Sequence, residues 1–333
     1  MDKPKVGFYW CASCGGCEEA VVDLAETILD VVEVVDIVFW PCAMDFKRED
    51  VEAMPDGTMA ACFVNGAVRT SEQRAMAELC RRKSQSLVAF GSCAHLGGVP
   101  GLANLHSRQS ILQACYGDGV FTTVNPDRVV PGPRTERPEG SLELPELDGE
   151  VKRLDHCVTV DYYLPGCPPP VKLIVDAVTA IVENKLPPEG TVLAPDTALC
   201  HDCPRLDSKP EEPFIDRFRR PHQIPIDPEK CFLTQGLLCL GPATRSGCDN
   251  ACIQGNMPCT GCMGPLSGVR DQGAAALSAV ASLMATNDAS QADRVAAELA
   301  DLAGTLYRYG MPSSLLFKKA EQDRTGGVPC PSE

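Results

Sequence analysis

Val6-Gly-Phe-Tyr-Trp10-Cys11-Ala-Ser-Cys14-Gly-Gly-Cys17-Glu18-Glu19 is the stretch that decides the fold. Val6 to Trp10 is a β-rich run that stops abruptly in a turn of small residues and thiols. From Glu18 to Val32 the apolar positions return at helical spacing. Strand, tight turn and helix make the first half of a βαβ unit. In an open parallel sheet, ligands sit outside the carboxyl ends of the strands. The three thiols therefore stand where such a sheet holds a ligand.

Working outward, Val35 to Trp40 and Met59 to Val68 read as the next strands, Ser71 to Ser84 as a helix and Ser86 to Phe90 as a strand. An acidic, proline-rich stretch from Asn125 to Glu150, extending to about residue 155, reads as a surface insertion. Val158 to Leu164 is then a strand and Pro169 to Asn184 its helix. This alternation predicts an α/β fold in which a flavodoxin-like parallel-sheet domain occupies residues 1–186. From Pro187 the pattern breaks down, and eight cysteines crowd into Cys200 to Cys262. So few large apolar side chains call for metal centres to supply cohesion, which makes 187–266 an irregular, cysteine-rich second domain. Gly273 to Leu316 returns to an Ala/Leu pattern, so 267–333 reads as a C-terminal helical tail with two helices.

The chain has 333 residues, 44% of them apolar, enough for two packed domains. Its net charge of -15 argues against nucleic acid, which is bound mainly by neutralising phosphates with Lys and Arg. Met1 to Trp10 carries no leader pattern, and Val31 to Trp40 is interrupted by Glu33 and Asp36, well short of the about 20 residues of a membrane span. The expectation is a cytoplasmic protein without a membrane span. In a reducing compartment closely spaced cysteines read as metal thiolates, and nineteen of them fit a complete disulfide framework poorly.

Three strand ends carry thiols: the Cys11/Cys14/Cys17 turn, Gly91-Ser-Cys93-Ala, and Pro165-Gly-Cys167-Pro-Pro-Pro. Soft thiolates suit iron-sulfur clusters, and a cubane takes four. Cys11 and Cys14 are also spaced C-x-x-C, so Cys11 competes for a place in this set. The second half supplies Cys200-His201-Asp202-Cys203, Cys231, Cys239, Cys248, Cys252 and Cys259-Thr-Gly-Cys262. Eight thiols divide into two sets of four; tetrahedral zinc is the structural alternative. There is no glycine-rich nucleotide fingerprint after a strand, no Ser/Thr-rich phosphate cradle, no Ser/His/Asp arrangement and no H-E-x-x-H helix. No catalytic residue is expected in this chain.

Taken together, C-x-G-C after the first strand, G-x-C-A after a later one and P-G-C-P-P resemble the proximal-cluster motifs of [NiFe] hydrogenase small subunits. Cys239-Leu-Gly-Pro-Ala-Thr, then Cys248 and Pro-Cys-Thr-Gly-Cys262, resemble their medial and distal cluster region. The likeness spans residues 6 to 265. It implies three [4Fe-4S] clusters: a proximal one on Cys14, Cys17, Cys93 and Cys167; a distal one on Cys200, Cys203, Cys231 and Cys239; and a medial one on Cys248, Cys252, Cys259 and Cys262. In the family pattern the Cys200 position is usually histidine, which leaves His201 beside the cluster or in solvent. Cys252 is a fourth ligand where the medial site often has three. The small subunit of NADH:quinone oxidoreductase shares the first domain, but its adjacent cysteines are absent here.

The all-cysteine sets and the run Gln235 to Thr244 most resemble the methyl-viologen-reducing, heterodisulfide-reductase-associated type. The implied partners are a large subunit holding the nickel-iron centre, a [2Fe-2S] subunit and a heterodisulfide-reductase-like flavoprotein complex. The implied activity is the relay of electrons from dihydrogen. A subunit of a quinone-reductase-like complex and a zinc-stabilised scaffold without redox role are the rival readings. The remaining Cys11, Cys42, Cys62, Cys80, Cys115, Cys157 and Cys330 read mostly as ordinary buried thiols. His95 and His106 read as structural histidines, and Glu18 and Glu19 as partners of a helix dipole.

Overall fold

The computed structural model describes residues 3–117, 124–286, 288–299 and 301–318. Six strands form one sheet: β1 (Lys5–Trp10), β2 (Asp36–Phe39), β3 (Met59–Asn65), β4 (Ser84–Phe90), β5 (Tyr162–Leu164) and β6 (Thr191–Val192). Their spatial order is β6-β5-β4-β3-β1-β2, and every neighbouring pair is parallel. The order reverses between β1 and β3, which places the switch point of a flavodoxin-like sheet beside the end of β1.

Side chains alternate across this sheet as the strand pleat requires. Phe8, Phe63, Val88 and Phe90 share one face with Leu173, Ile174, Ala177 and Val178 of helix α5 (Val171–Val182). Cys62, Val64, Leu87 and Ala89 share the other with Met76, Ala77, Leu79 and Cys80 of helix α3 (Ser71–Lys83). Burial on both faces explains why these strands read as nearly continuous apolar runs. Phe8 stacks on Phe63 at 5.1 Å and meets Trp40 at 4.9 Å, which fixes the base of the crevice.

Four local expectations are corrected. The single helix from Glu18 to Val32 is two, α1 (Gly16–Val22) and α2 (Thr27–Val34), because Ala25 adopts a φ of 51° and turns the chain. The run Met59 to Val68 breaks at Gly66, whose φ is 89°; an added Cβ would lie 2.7 Å from the Cys11 carbonyl carbon. Beyond it, Val68–Thr70 pairs antiparallel with Leu147–Lys152, so the end of the supposed surface insertion is tied to the body, with Val151 and Leu154 buried. Of Val158 to Leu164, only Tyr162–Leu164 joins the sheet. The hairpin Arg134–Arg137 with Gly140–Glu143 is exposed throughout.

The sheet also takes chain beyond residue 187, through β6. Further on, short 3-10 turns and loops enclose an apolar core of Leu199, Ile215, Phe218, Phe232, Leu233, Leu237 and Ile253, closed by Val280 and Val295. Among the described residues the tail supplies three short helices rather than two, Gln272–Ala281, Ala289–Ala297 and Leu302–Leu306. Phe214 and Ile215 donate to the Leu283 carbonyl at 2.9 and 2.8 Å and so dock the first of them. Among the described residues no helix is long and apolar enough to cross a membrane.

Candidate metal centres

The turn after β1 separates its own thiols. Cys11 N–H donates to Asn65 O at 2.8 Å, and Ala12 exchanges two backbone bonds of 2.9 Å with Ala67. Pinned to the end of β3, Cys11 points into the α3 face, where its neighbours are Cys80 and Cys157. Gly15, with a φ of 86°, then swings the chain over, and α1 begins. Cys17 thus emerges on the opposite side, among Cys14, Cys93 and Cys167. Cys11 therefore lies across the sheet from the thiols with which it competed in sequence.

Cys93 lies in helix α4 (Gly91–Leu96), directly after β4, and Cys167 follows β5. Ser92 N–H donates to Gly166 O at 2.8 Å and holds these two loops together. Gly91, φ 84°, leaves room that no side chain could share: a Cβ there would sit 2.3 Å from Cys17 Sγ. Burial, then the neighbouring thiols, pushes Cys17 and Cys167 up, and Cys93 up to about 12. These three neighbouring thiols can be thiolates together only around a positive centre.

Cys200, Cys203, Cys231 and Cys239 line one pocket whose walls include Leu199, Arg205, Phe232, Leu233 and Ile253. A Cβ on Gly241 would stand 3.3 Å from Cys200 Sγ and 3.6 Å from Cys239 Sγ. Burial raises Cys200 to about 12 and Cys239 to about 11, the latter opposed by N–H donation from Gly241 and Cys259. The third set gathers at Cys262, whose thiol is pushed up to about 12 by burial and stands near Cys248, Cys252 and Cys167. Cys259 neighbours both Cys262 and Cys239. Backbone N–H groups of Asn250 and Ala251 point at Cys248, helped by the left-handed backbone of Asp249 and Asn250.

These residues fit iron-sulfur clusters by their chemistry. The donors are all thiols, glycine-lined hollows stand beside Cys17, Cys200 and Cys239, and N–H groups are aimed at sulfur, as Cys259 N is at Cys239 Sγ at 3.3 Å. Among the described residues no three His, Cys, Asp or Glu side chains close around the space of a single ion. A cubane takes one thiolate at each of four irons and does not require convergence on one point.

The other singled-out residues fall outside these sets. His201 and His106 are exposed. His95 is buried against Tyr163, ring centroids 4.8 Å apart, with no hydrogen-bond partner for Nδ1 among the described residues. Glu19 is exposed, but Glu18 is buried and accepts hydrogen bonds from Trp40 Nε1 and Asn65 Nδ2, which oppose the upward push of burial on its carboxyl. It is thus more than a dipole partner. Of the leftover thiols, Cys11, Cys62 and Cys80 are buried and Cys157 half-buried, whereas Cys42 and Cys115 are exposed. Cys330 lies outside the described residues. Sequence reading passed over Arg205, although a cation two residues after Cys203 is a visible signal.

Residues 14–181 match the family model for the NADH ubiquinone oxidoreductase 20 Kd subunit. The iron-sulfur subunit of the F420-non-reducing hydrogenase of Archaeoglobus profundus is 38% identical over 319 residues, covering 95% of this chain and 98% of that protein. Its counterpart in the F420-non-reducing hydrogenase of Methanothermobacter thermautotrophicus is 34% identical over 326 residues, covering 97% and 99%. The solved [NiFeSe] hydrogenase of Desulfovibrio vulgaris Hildenborough shares the fold, with a TM-score of 0.52 at 18% identity over 80% of this chain and 94% of that one.

Proposed function

Because the chain belongs to the NADH ubiquinone oxidoreductase 20 Kd subunit family, as a [NiFe] hydrogenase small subunit, we propose that it relays electrons from dihydrogen oxidation through three [4Fe-4S] clusters. It is a component of an oxidoreductase complex. The clusters, when bound, supply one-electron transfer between a nickel-iron centre in a large partner subunit and a later acceptor. Cys14, Cys17, Cys93 and Cys167 hold the proximal cluster, Cys248, Cys252, Cys259 and Cys262 the medial one, and Cys200, Cys203, Cys231 and Cys239 the distal one.

One observation carries this reading: the three sets are contiguous. Cys262 neighbours Cys167, and Cys259 neighbours Cys239, so the medial set touches the other two. The chain's work is to hold thiolates, aim N–H groups at them and exclude water. The large subunit would cover the crevice mouth, where Cys14 is exposed beside Trp10 and Val22, themselves 41% and 55% exposed. Apolar exposure of this kind marks a contact face.

Downstream, the all-thiol sets and the run Gln235 to Thr244 favour a [2Fe-2S] subunit and a heterodisulfide-reductase-like flavoprotein complex, in the cytoplasm. The relatives' description as F420-non-reducing extends to this chain as an acceptor other than F420.

Anaerobic purification with metal analysis of every co-eluting subunit tests the proposal. Expected are about twelve irons and matching acid-labile sulfide per chain, with nickel in the partner. Zinc without sulfide would refute it in favour of a scaffold; iron without nickel, in a complex that reduces quinone, would place the chain in a quinone-reductase-like assembly.

A further inference from the structure

We infer that Arg205 is a fixed buried cation that raises the electron affinity of the cluster on Cys200, Cys203, Cys231 and Cys239; this rests on the reading that a [4Fe-4S] cluster occupies that set. Arg205 is only 4% exposed, and it lines the same pocket as the four thiols. Its guanidinium lies over the Phe232 ring, 4.1 Å from the centroid. Nη1 donates to Asp227 O at 3.3 Å and Lys230 O at 3.2 Å, and Nη2 to Ile253 O at 3.3 Å and Asn256 Oδ1 at 2.8 Å. All four acceptors are neutral oxygens.

A buried charge held only by dipoles is costly unless an opposite charge stands near it. Among the described residues no carboxylate forms an ion pair with Arg205. Asp227 feels the Arg205 charge, but its direct partners are Lys230 at 3.3 Å and the Glu229 N–H at 3.0 Å. Arg205 also lines the pocket that holds the thiol set. A [4Fe-4S] core with four thiolates is anionic and becomes more so on reduction. One electron enters, with no bond made or broken and no proton required. A fixed positive charge at the wall therefore favours the reduced form.

The surroundings amplify the effect. Leu199, Phe232, Leu233 and Ile253 make the wall apolar, so the field of Arg205 is weakly screened. Lys209 lines the same pocket but is only half-buried, so salt should blunt its influence. The Nη2 contacts to Ile253 and Asn256 also bring the charge to the segment just after Cys252. Arg205 thus stands between the distal and medial sets.

The test is a potentiometric titration of the whole anaerobic complex followed by electron paramagnetic resonance, with iron counted in parallel. In R205M, the ratio of reduced to oxidised distal cluster at the wild-type midpoint should fall about tenfold, a downward shift of about 59 mV for one electron. R205K should stay near wild type, and the R205M shift should persist at high salt, unlike that of K209M. Full iron in R205M with an unmoved midpoint would overturn the inference. If R205M loses distal iron, R205K decides: retained iron and midpoint mean that charge suffices, while equal iron loss means that the guanidinium acts only as a scaffold. A wild-type complex with fewer than about twelve irons would instead overturn the cluster reading itself.

Discussion

Substituting Gly91 by alanine should abolish the proximal cluster while leaving the other two. A Cβ at this position would stand 2.3 Å from Cys17 Sγ, 3.5 Å from Gly166 O and 3.6 Å from Pro169 Cδ. An unstrained contact needs about 3.5–4.0 Å, so the thiol or its loop must retreat by more than about 1 Å. Metal-ligand distances tolerate only about 0.2 Å. A second cost comes from the backbone: at a φ of 84° an L-residue loses about 1–2 kcal/mol relative to glycine. Gly190 separates the two costs, because its φ is 85° and nothing lies within 4 Å of the Cβ it would acquire. G190A should therefore show the backbone cost alone and keep about twelve irons, whereas G91A should fall to about eight. Iron and sulfide analysis of the two purified complexes is the assay. Full iron in G91A, or equal iron loss in G190A, would refute the reasoning.

Three further outcomes follow from the same geometry. C17S should lose iron, while C11S should keep all of it because its side chain faces Cys80 and Cys157 across the sheet; iron loss in C11S would contradict the assignment. Replacing Cys252 by alanine removes one corner of the medial set, so iron should drop by about one rather than four, with a new three-iron resonance signal. Asp196 is held below the usual carboxylate range, first by the Ser267 N–H and also by Arg245. A depressed folded value means stability present at neutral pH and lost as pH falls through that value. D196N should therefore lower stability near neutrality but leave the acid limb flatter, as measured by anaerobic urea unfolding at several pH values.

The strand ends were legible because each couples a β-rich run to glycine and cysteine: Trp10 into Cys11, Phe90 into Gly91, Leu164 into Pro165. The direction in which Cys11 points was not, since it depends on backbone bonds to Asn65 and Ala67, more than fifty residues away. Leu147–Lys152 hid for a related reason. As Leu-Asp-Gly-Glu-Val-Lys it buries only Val151, so it shows no alternation, and its pairing with Val68–Thr70 is decided by tertiary contact. Ala25 gave no signal at all, because alanine is an unusual residue at positive φ. In the cysteine-rich half, the absence of a period concealed a modest apolar core around Phe232 and Leu237, built from isolated residues on irregular loops rather than from a face of any element.

That irregular half is joined to the sheet largely through the loops that carry the thiols. Ser92 Oγ donates to the Cys262 carbonyl, and the Cys167 N–H points at the Cys262 sulfur. Gly264 packs so closely on α4 that an added Cβ would lie 3.0 Å from Leu96. In the same way Leu240 N–H donates to Cys259 O at 2.9 Å while Cys259 N–H returns to Cys239 Sγ. The apolar cores of the sheet and of the irregular half are built from their own side chains, whereas on the proposed ligand assignment these junctions are hydrogen bonds among residues whose positions would depend on thiolate ligation. Assembly should therefore be ordered, with the cores first and the junctions later, and damage should spread according to position. On the proposed assignment a change at Cys262 should disturb loops of both the proximal and medial sets, whereas a change at Cys200, at the far end of the series, should disturb the distal set alone.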